Sequence, residues 1–192
     1  MGLKDGTLTK LVNDGCTGSI PELATTVFNH MLQALDYLAV EGLVHRDVKP
    51  DNILYVLRKD GQYHFELGDF GLSSWAFVAN TRGAGTPLFM APEMLQMGRQ
   101  THKVDVWSLY VTIVWTLDVH GFRTNPHHFT TYDEIRDAVC VIASAVSPVS
   151  LIRKMAMINP EERASAAEML DKLFGGAGRS FPKGEPATDV PA

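Results

Sequence analysis

Val27, Phe28, Met31, Leu32, Leu35 and Leu38 recur at helical spacing, an apolar stripe that predicts an amphipathic helix running to about Val40. Its start is marked by Ser19-Ile-Pro-Glu22. There the serine side chain can accept from an amide left open in the first turn, the glutamate can reach back, and Pro21 falls where no helical N–H is needed. Gly42 is placed to end the helix. The period then changes: Ile53–Leu57 and Tyr63–Leu67 are short runs rich in branched and aromatic residues. Lys59-Asp60-Gly61 between them offers the left-handed position of a tight turn, so a β-hairpin is expected.

Beyond Gly71 a stretch rich in Ser, Gly and Thr reaches Thr86 with weak periodicity, too long for a simple connection, and reads as a functional or mobile loop. Val104 to Val119 is apolar almost all round, with Trp107 and Trp115 in it. It also contains Asp105, Ser108, Thr112, Thr116 and Asp118 and is shorter than the roughly 20 residues that cross a bilayer, so it predicts a helix through the core rather than a membrane span. Thr131-x-x-Glu134 and Ser165-x-x-Glu168 repeat the capping pattern ahead of Ile135–Ile142 and Ala166–Phe174, which makes the carboxyl half nearly all helical. Gly175 to Ala192 holds four glycines and three prolines with few large apolar side chains, and is expected to be a disordered tail. The fold class is therefore mainly α with a small β-hairpin.

Composition changes this picture little. With 45% hydrophobic and 20% charged residues the chain can bury one sizeable core. The formal net charge is -5, and basic residues adjoin at most in pairs such as Arg58-Lys59, so no broad positive face for nucleic acid is expected. Cys16 and Cys140 lack the spacing of a metal site or a disulfide framework and read as buried thiols in a reducing compartment. The start MGLKDGTLTK has no apolar run of signal-peptide length, which points to a cytoplasmic location, the nucleus left open, without a membrane partner. His127-His128 has no third ligand at metal spacing and reads as loop.

The chemistry is concentrated in three motifs: His45-Arg46-Asp47-Val48-Lys49-Pro50-Asp51-Asn52, then Asp69-Phe70-Gly71, then Ala91-Pro92-Glu93. Alone, Asp47 and Asp69 would read as surface turn carboxylates. The three motifs in this order resemble the signature of eukaryotic protein kinases, with Val48 where the pattern usually has leucine. The resemblance implies ATP-dependent phosphoryl transfer to protein hydroxyls. It assigns Asp47 as the base for the substrate hydroxyl, Lys49 to the transferred phosphate, and Asn52 and Asp69 as oxygen ligands of Mg²⁺. Lys49, together with Thr86 in GTPLFMAPE, resembles the Ser/Thr class. The resemblance further implies a packing role for His45, a Glu93–Arg163 pair joining the loop end to the last helices, and Asp105 holding the amides of the catalytic loop.

The resemblance covers residues 1–174, with 175–192 as the tail, and matches the helical carboxyl-terminal lobe alone. Kinases of this family carry a Gly-rich loop, a strand lysine and a helix glutamate in a preceding sheet lobe, and this sequence contains none of them. The expectation is a kinase C-lobe portion that is inactive alone, its N-lobe supplied elsewhere and its partners protein substrates or docking proteins. The alternative is a catalytically silent, kinase-like protein-binding module. Tyr110, where the family usually has glycine, Gly68 before Asp69, and Ser74, where loop-gated kinases carry a second basic residue, are departures from the pattern.

Overall fold

The computed structural model describes residues 4–75, 86–95, 100–125 and 129–181. The apolar stripe forms helix α2, Ile20–Val40, and both halves of its capping box are made: the Ser19 side chain accepts from the Glu22 amide, and Glu22 accepts from the Ser19 amide at 3.1 Å. Ahead of it, α1 spans Leu8–Asp14 with Thr7 as cap. Thr131 and Ser165 make the same reciprocal boxes at the starts of α4, Tyr132–Ser144, and α5, Ala166–Phe174. Each of these starts lies where a side chain three residues away satisfies an amide the helix leaves open.

Helix α3, Lys103–Thr116, runs through the centre, and every residue from Val104 to Val114 is buried. Its neighbours α2 and the 3₁₀ turns at Ser150–Ala156 close over it, while α5 and the hairpin pack on α2. The hairpin itself is β3, Ile53–Leu57, and β4, Tyr63–Leu67, antiparallel from Ile53 opposite Leu67 to Leu57 opposite Tyr63. Gly61 supplies the left-handed turn position at φ 81°. Two pairings go beyond the sequence reading. Gly6–Thr7 forms β1 on the free edge of β3, and β2, Leu43–Val44, pairs antiparallel with β5, Ser74–Trp75.

Helix α3 stops at Thr116 rather than continuing to Val119. Asp118 turns left-handed at φ 51°, and its carboxylate accepts from the Arg123 and Thr124 amides at 2.8 and 3.1 Å. The Arg123 guanidinium then donates to the Thr116 carbonyl at 3.1 Å and lies over the Trp115 ring, so a cation meets the negative end of the helix. Inside α3, Tyr110 is fully buried and its hydroxyl has no hydrogen-bond partner among the described residues. Burial raises that phenol well above its usual range. Removing an orphan hydroxyl recovers its desolvation cost, so Tyr110→Phe is expected to raise stability by about 1 kcal/mol in urea unfolding. A loss of that size instead would reveal a partner for the hydroxyl.

The carboxyl end departs from a tail disordered from Gly175 onward. Gly175 caps α5, Asp171 pairs with Arg179 at 2.7 Å, and the Ser180 amide donates to the buried Asp36 carboxylate of α2 at 2.7 Å. Gly178 has φ 77°, a left-handed conformation that favours glycine, and it sits directly against the Gln33 side chain of α2. Residues 182–192, most of the loop expected between Gly71 and Thr86, and His127-His128 lie outside the described residues. Cys16 and Cys140 are free thiols, each half-buried.

Candidate active site

The loop from His45 to Asn52 leaves β2 and enters β3, and its shape is set by one buried carboxylate. Asp105, in the first turn of α3, accepts from the His45 amide at 2.8 Å and the Arg46 amide at 2.7 Å. Arg46 is held at φ 71°, a conformation that L-residues seldom adopt and that these bonds support. Burial pushes the Asp105 carboxyl up to about 6, against the pull of the two amides and the Arg46 charge. Its ionised form, which makes both bonds, therefore prevails at neutral pH.

His45 ties this loop to the next one. Its Nε2–H donates to the Gly68 carbonyl at 3.0 Å and its Nδ1 accepts from the Asp47 amide at 3.3 Å, which fixes the tautomer. Burial lowers its pKa despite the Gly68 carbonyl and the nearby aspartates, so the ring is neutral. Its edge meets Phe70 with centroids 4.9 Å apart, in keeping with the packing role expected of it.

Asp47 is the centre of the polar cluster. Lys49 Nζ donates to its Oδ2 at 2.7 Å, and Asn52, brought back by the 3₁₀ turn Pro50–Asn52, donates to the same oxygen at 2.9 Å and to the Asp47 carbonyl at 2.8 Å. Thr86 donates to Oδ1 through both its hydroxyl, at 3.0 Å, and its amide, at 3.1 Å, while its hydroxyl accepts from Lys49 at 2.6 Å. Burial acts to raise the Asp47 carboxyl, but the bonds from Lys49, Thr86 and Asn52 and the lysine's charge outweigh it and hold the group below its usual range. The result is an ionised carboxylate oriented from both sides, beside a cation.

Three of the four candidate residues, Asp47, Lys49 and Asn52, are thus brought into one cluster. Asp69 stands on the adjacent loop, which is tied to theirs by the Gly68 amide donating to the Asn52 carbonyl at 2.8 Å. It is exposed and left-handed at φ 55°, and it accepts from the Gly71 amide at 3.2 Å. Among the described residues no three His, Cys, Asp or Glu side chains gather as a metal site. The sequence marked Thr86 only as a class feature. Its direct grip on Asp47 links positions 39 residues apart, and no local pattern announces that.

Beneath the site, Arg163 joins the last helices to Glu93 by two bonds, at 2.6 and 3.0 Å. Its side chain is 0% exposed and that of Glu93 17%. The guanidinium also donates to the carbonyls of Lys103, Met157 and Ile158 and lies over the Trp107 ring.

Residues 3–174 match the protein kinase domain family. The chain belongs to that family. Its kinase domain is 36% identical over 154 residues to the Aurora kinase of Schizosaccharomyces pombe, covering 78% of this chain and 42% of that protein. It is 33% identical over 180 residues to the serine/threonine-protein kinase PAK mbt of Drosophila melanogaster, covering 90% and 27%. It is also 31% identical over 197 residues to human serine/threonine-protein kinase PAK 4, covering 98% and 32%. The chain spans less than half the length of each of these relatives. Its helical architecture with a small antiparallel sheet is that of a kinase-like fold without a full N-lobe, and no described helix is long and apolar enough to cross a membrane.

Proposed function

We propose that this chain supplies the catalytic-loop half of a Ser/Thr protein kinase site, transferring the terminal phosphoryl group of ATP to serine or threonine hydroxyls of protein substrates. The observation that carries the reading is the Asp47 carboxylate, kept ionised and clamped by Lys49, Asn52 and Thr86 within 3.1 Å. Asp47 takes the proton of the attacking hydroxyl as its oxygen bonds to phosphorus and the bond from that phosphorus to the bridging oxygen of ATP breaks, ADP leaving with the electron pair, and Lys49 stabilises charge on the moving phosphoryl group. Asn52 and Asp69 are the residues that would hold Mg²⁺. The donor set fits such an ion, because Asn52 directs its N–H groups at Asp47 and so presents its amide oxygen, beside an exposed carboxylate. When bound, Mg²⁺ supplies charge neutralisation at the phosphates.

A second reading, a silent docking module, is favoured by Phe70 and Leu72. They stand 45% and 39% exposed beside the site, where the family resemblance places the small lobe. The sequence has no Gly-rich loop, strand lysine or helix glutamate, and losing one preorganised charge donor already costs about 10² to 10³ in rate. The 192-residue chain alone is therefore expected to show neither micromolar ATP–Mg²⁺ affinity by calorimetry nor transfer to a generic basic protein. Joined in one polypeptide to the small lobe of a related kinase, it is expected to gain Asp47-dependent transfer. A chimera that folds and stays silent selects the docking module. Asp47-dependent phosphorylation by the chain alone would mean that it rebuilds the phosphate clamp from its own segments.

A further inference from the structure

Among the described residues β4 is an edge of its sheet, so an amide on its outer side has no strand to bond. At Phe65, a residue only 2% exposed, the amide donates instead to Nδ1 of His30 on α2, at 3.2 Å. Accepting this bond fixes the ring, with the lone pair on Nδ1 and the proton on Nε2. A protonated ring carries N–H at both positions. Its Nδ1–H would then face the Phe65 N–H and leave a buried donor without an acceptor.

The surroundings also resist the charge. The His30 ring is half-buried and meets the His64 ring edge-on, with centroids 4.9 Å apart. Arg58, just past the end of β3, lines the same pocket as His30. Glu22 lines that pocket too, but its carboxylate is taken up by the Ser19 amide and hydroxyl. Glu66 on β4 pairs with Lys4 and lies 4.0 Å from His64, and the Tyr63 hydroxyl accepts from Thr17. Burial, and after it His64 and Arg58, hold the His30 pKa below its usual range.

The strand held in this way matters to the site. The hairpin joins the two candidate Mg²⁺ ligands: β3 begins directly after Asn52, β4 ends just before Gly68 and Asp69, and the Gly68 amide donates to the Asn52 carbonyl at 2.8 Å. We propose that His30 is an acid-sensitive latch, whose neutral ring holds β4, and with it the spacing of Asn52 from Asp69, against α2, and whose protonation releases them. The consequence for Mg²⁺ rests on the role proposed above for Asn52 and Asp69; the latch itself does not. The unfolded chain takes up this proton near the usual 6.5 and the folded chain only at lower pH. The stabilisation is therefore complete above about 6.5 and is lost as pH falls through the folded value.

The test follows the His30 ring of the chain alone by NMR, and the Phe65 and Gly68 amides by hydrogen exchange, from about pH 7.5 down to about pH 5. His30 is expected to titrate below about 6.5. Across that titration the protection factors of both amides, referred to the intrinsic rate at each pH, are expected to fall at least about fivefold, the loss an unpaired buried donor brings. His64→Gln, which removes a repelling ring, is expected to raise the His30 pKa. His30→Asn keeps an acceptor near the place of Nδ1 but cannot gain the proton, so on acidification its melting temperature is expected to fall by about 2 to 4 °C less than the parent's. His45 and His102, also held below their usual range by burial, titrate in both proteins and cancel in that difference. If His30→Asn does not fold, the ring titration, the exchange and His64→Gln decide alone. A His30 that titrates at or above about 6.5, Phe65 protection independent of pH, or equal melting losses in parent and variant overturns the proposal. So does loss of protection at Phe65 with Gly68 unchanged, because the hairpin then keeps its place without the latch. A silent small-lobe chimera leaves all these readouts standing, so the two readings fail separately.

Discussion

Asp47→Asn is expected to lower phosphoryl transfer by about 10² to 10⁴, the usual contribution of a general base, when the chain is joined to a small lobe that completes the proposed site. The amide is close in shape and can keep an oxygen toward Thr86, yet it cannot accept the hydroxyl proton, and it removes the negative charge that holds Lys49 at 2.7 Å. In the proposed role the loss belongs to kcat, with KM for ATP nearly unchanged, because a general base acts in the transition state rather than in nucleotide binding. Steady-state kinetics against a serine peptide check both parts. Near-unchanged turnover would remove Asp47 from the chemistry.

Arg163→Ala is expected to cost about 3 to 5 kcal/mol of stability, as breaking a buried ion pair typically does. The magnitude follows from what stays behind: a Glu93 carboxylate that is mostly buried and three carbonyls, of Lys103, Met157 and Ile158, that lose their donor. For a chain of this size each kcal/mol moves the melting temperature by about 2 to 4 °C, so the midpoint drops by on the order of ten degrees. The double variant Glu93→Leu/Arg163→Met recovers part of the loss, since an apolar pair leaves no unpaired charge. Scanning calorimetry of the three variants distinguishes this from a simple packing defect, in which the double variant would be worse than either single one.

The elements legible in the sequence are those specified within a few residues of themselves. Ser19, Thr131 and Ser165 each find their partner glutamate three positions on, and Gly61 alone sets the hairpin turn. What escaped reading depends on residues far apart. Strand β1 takes its place from Tyr55 and Leu54, and the end of α3 is decided by how the Asp118 carboxylate folds back on later amides. The orphan hydroxyl of Tyr110 reflects what surrounds a buried helix. The cluster was legible only through motif resemblance: the residue types suggested hard-cation and proton-transfer chemistry, but nothing local brings Asp47 to Thr86. The Glu93–Arg163 pair, implied by the same resemblance, forms across 70 residues.

The strap that fastens Ser180 to Asp36 spans 144 residues of chain, and during synthesis that distance is a delay. At roughly 5 to 20 residues per second, the ribosome adds Ser180 about 7 to 30 s after Asp36. Through that interval α2 can form and pack while its buried Asp36 carboxylate still waits for the strap amide.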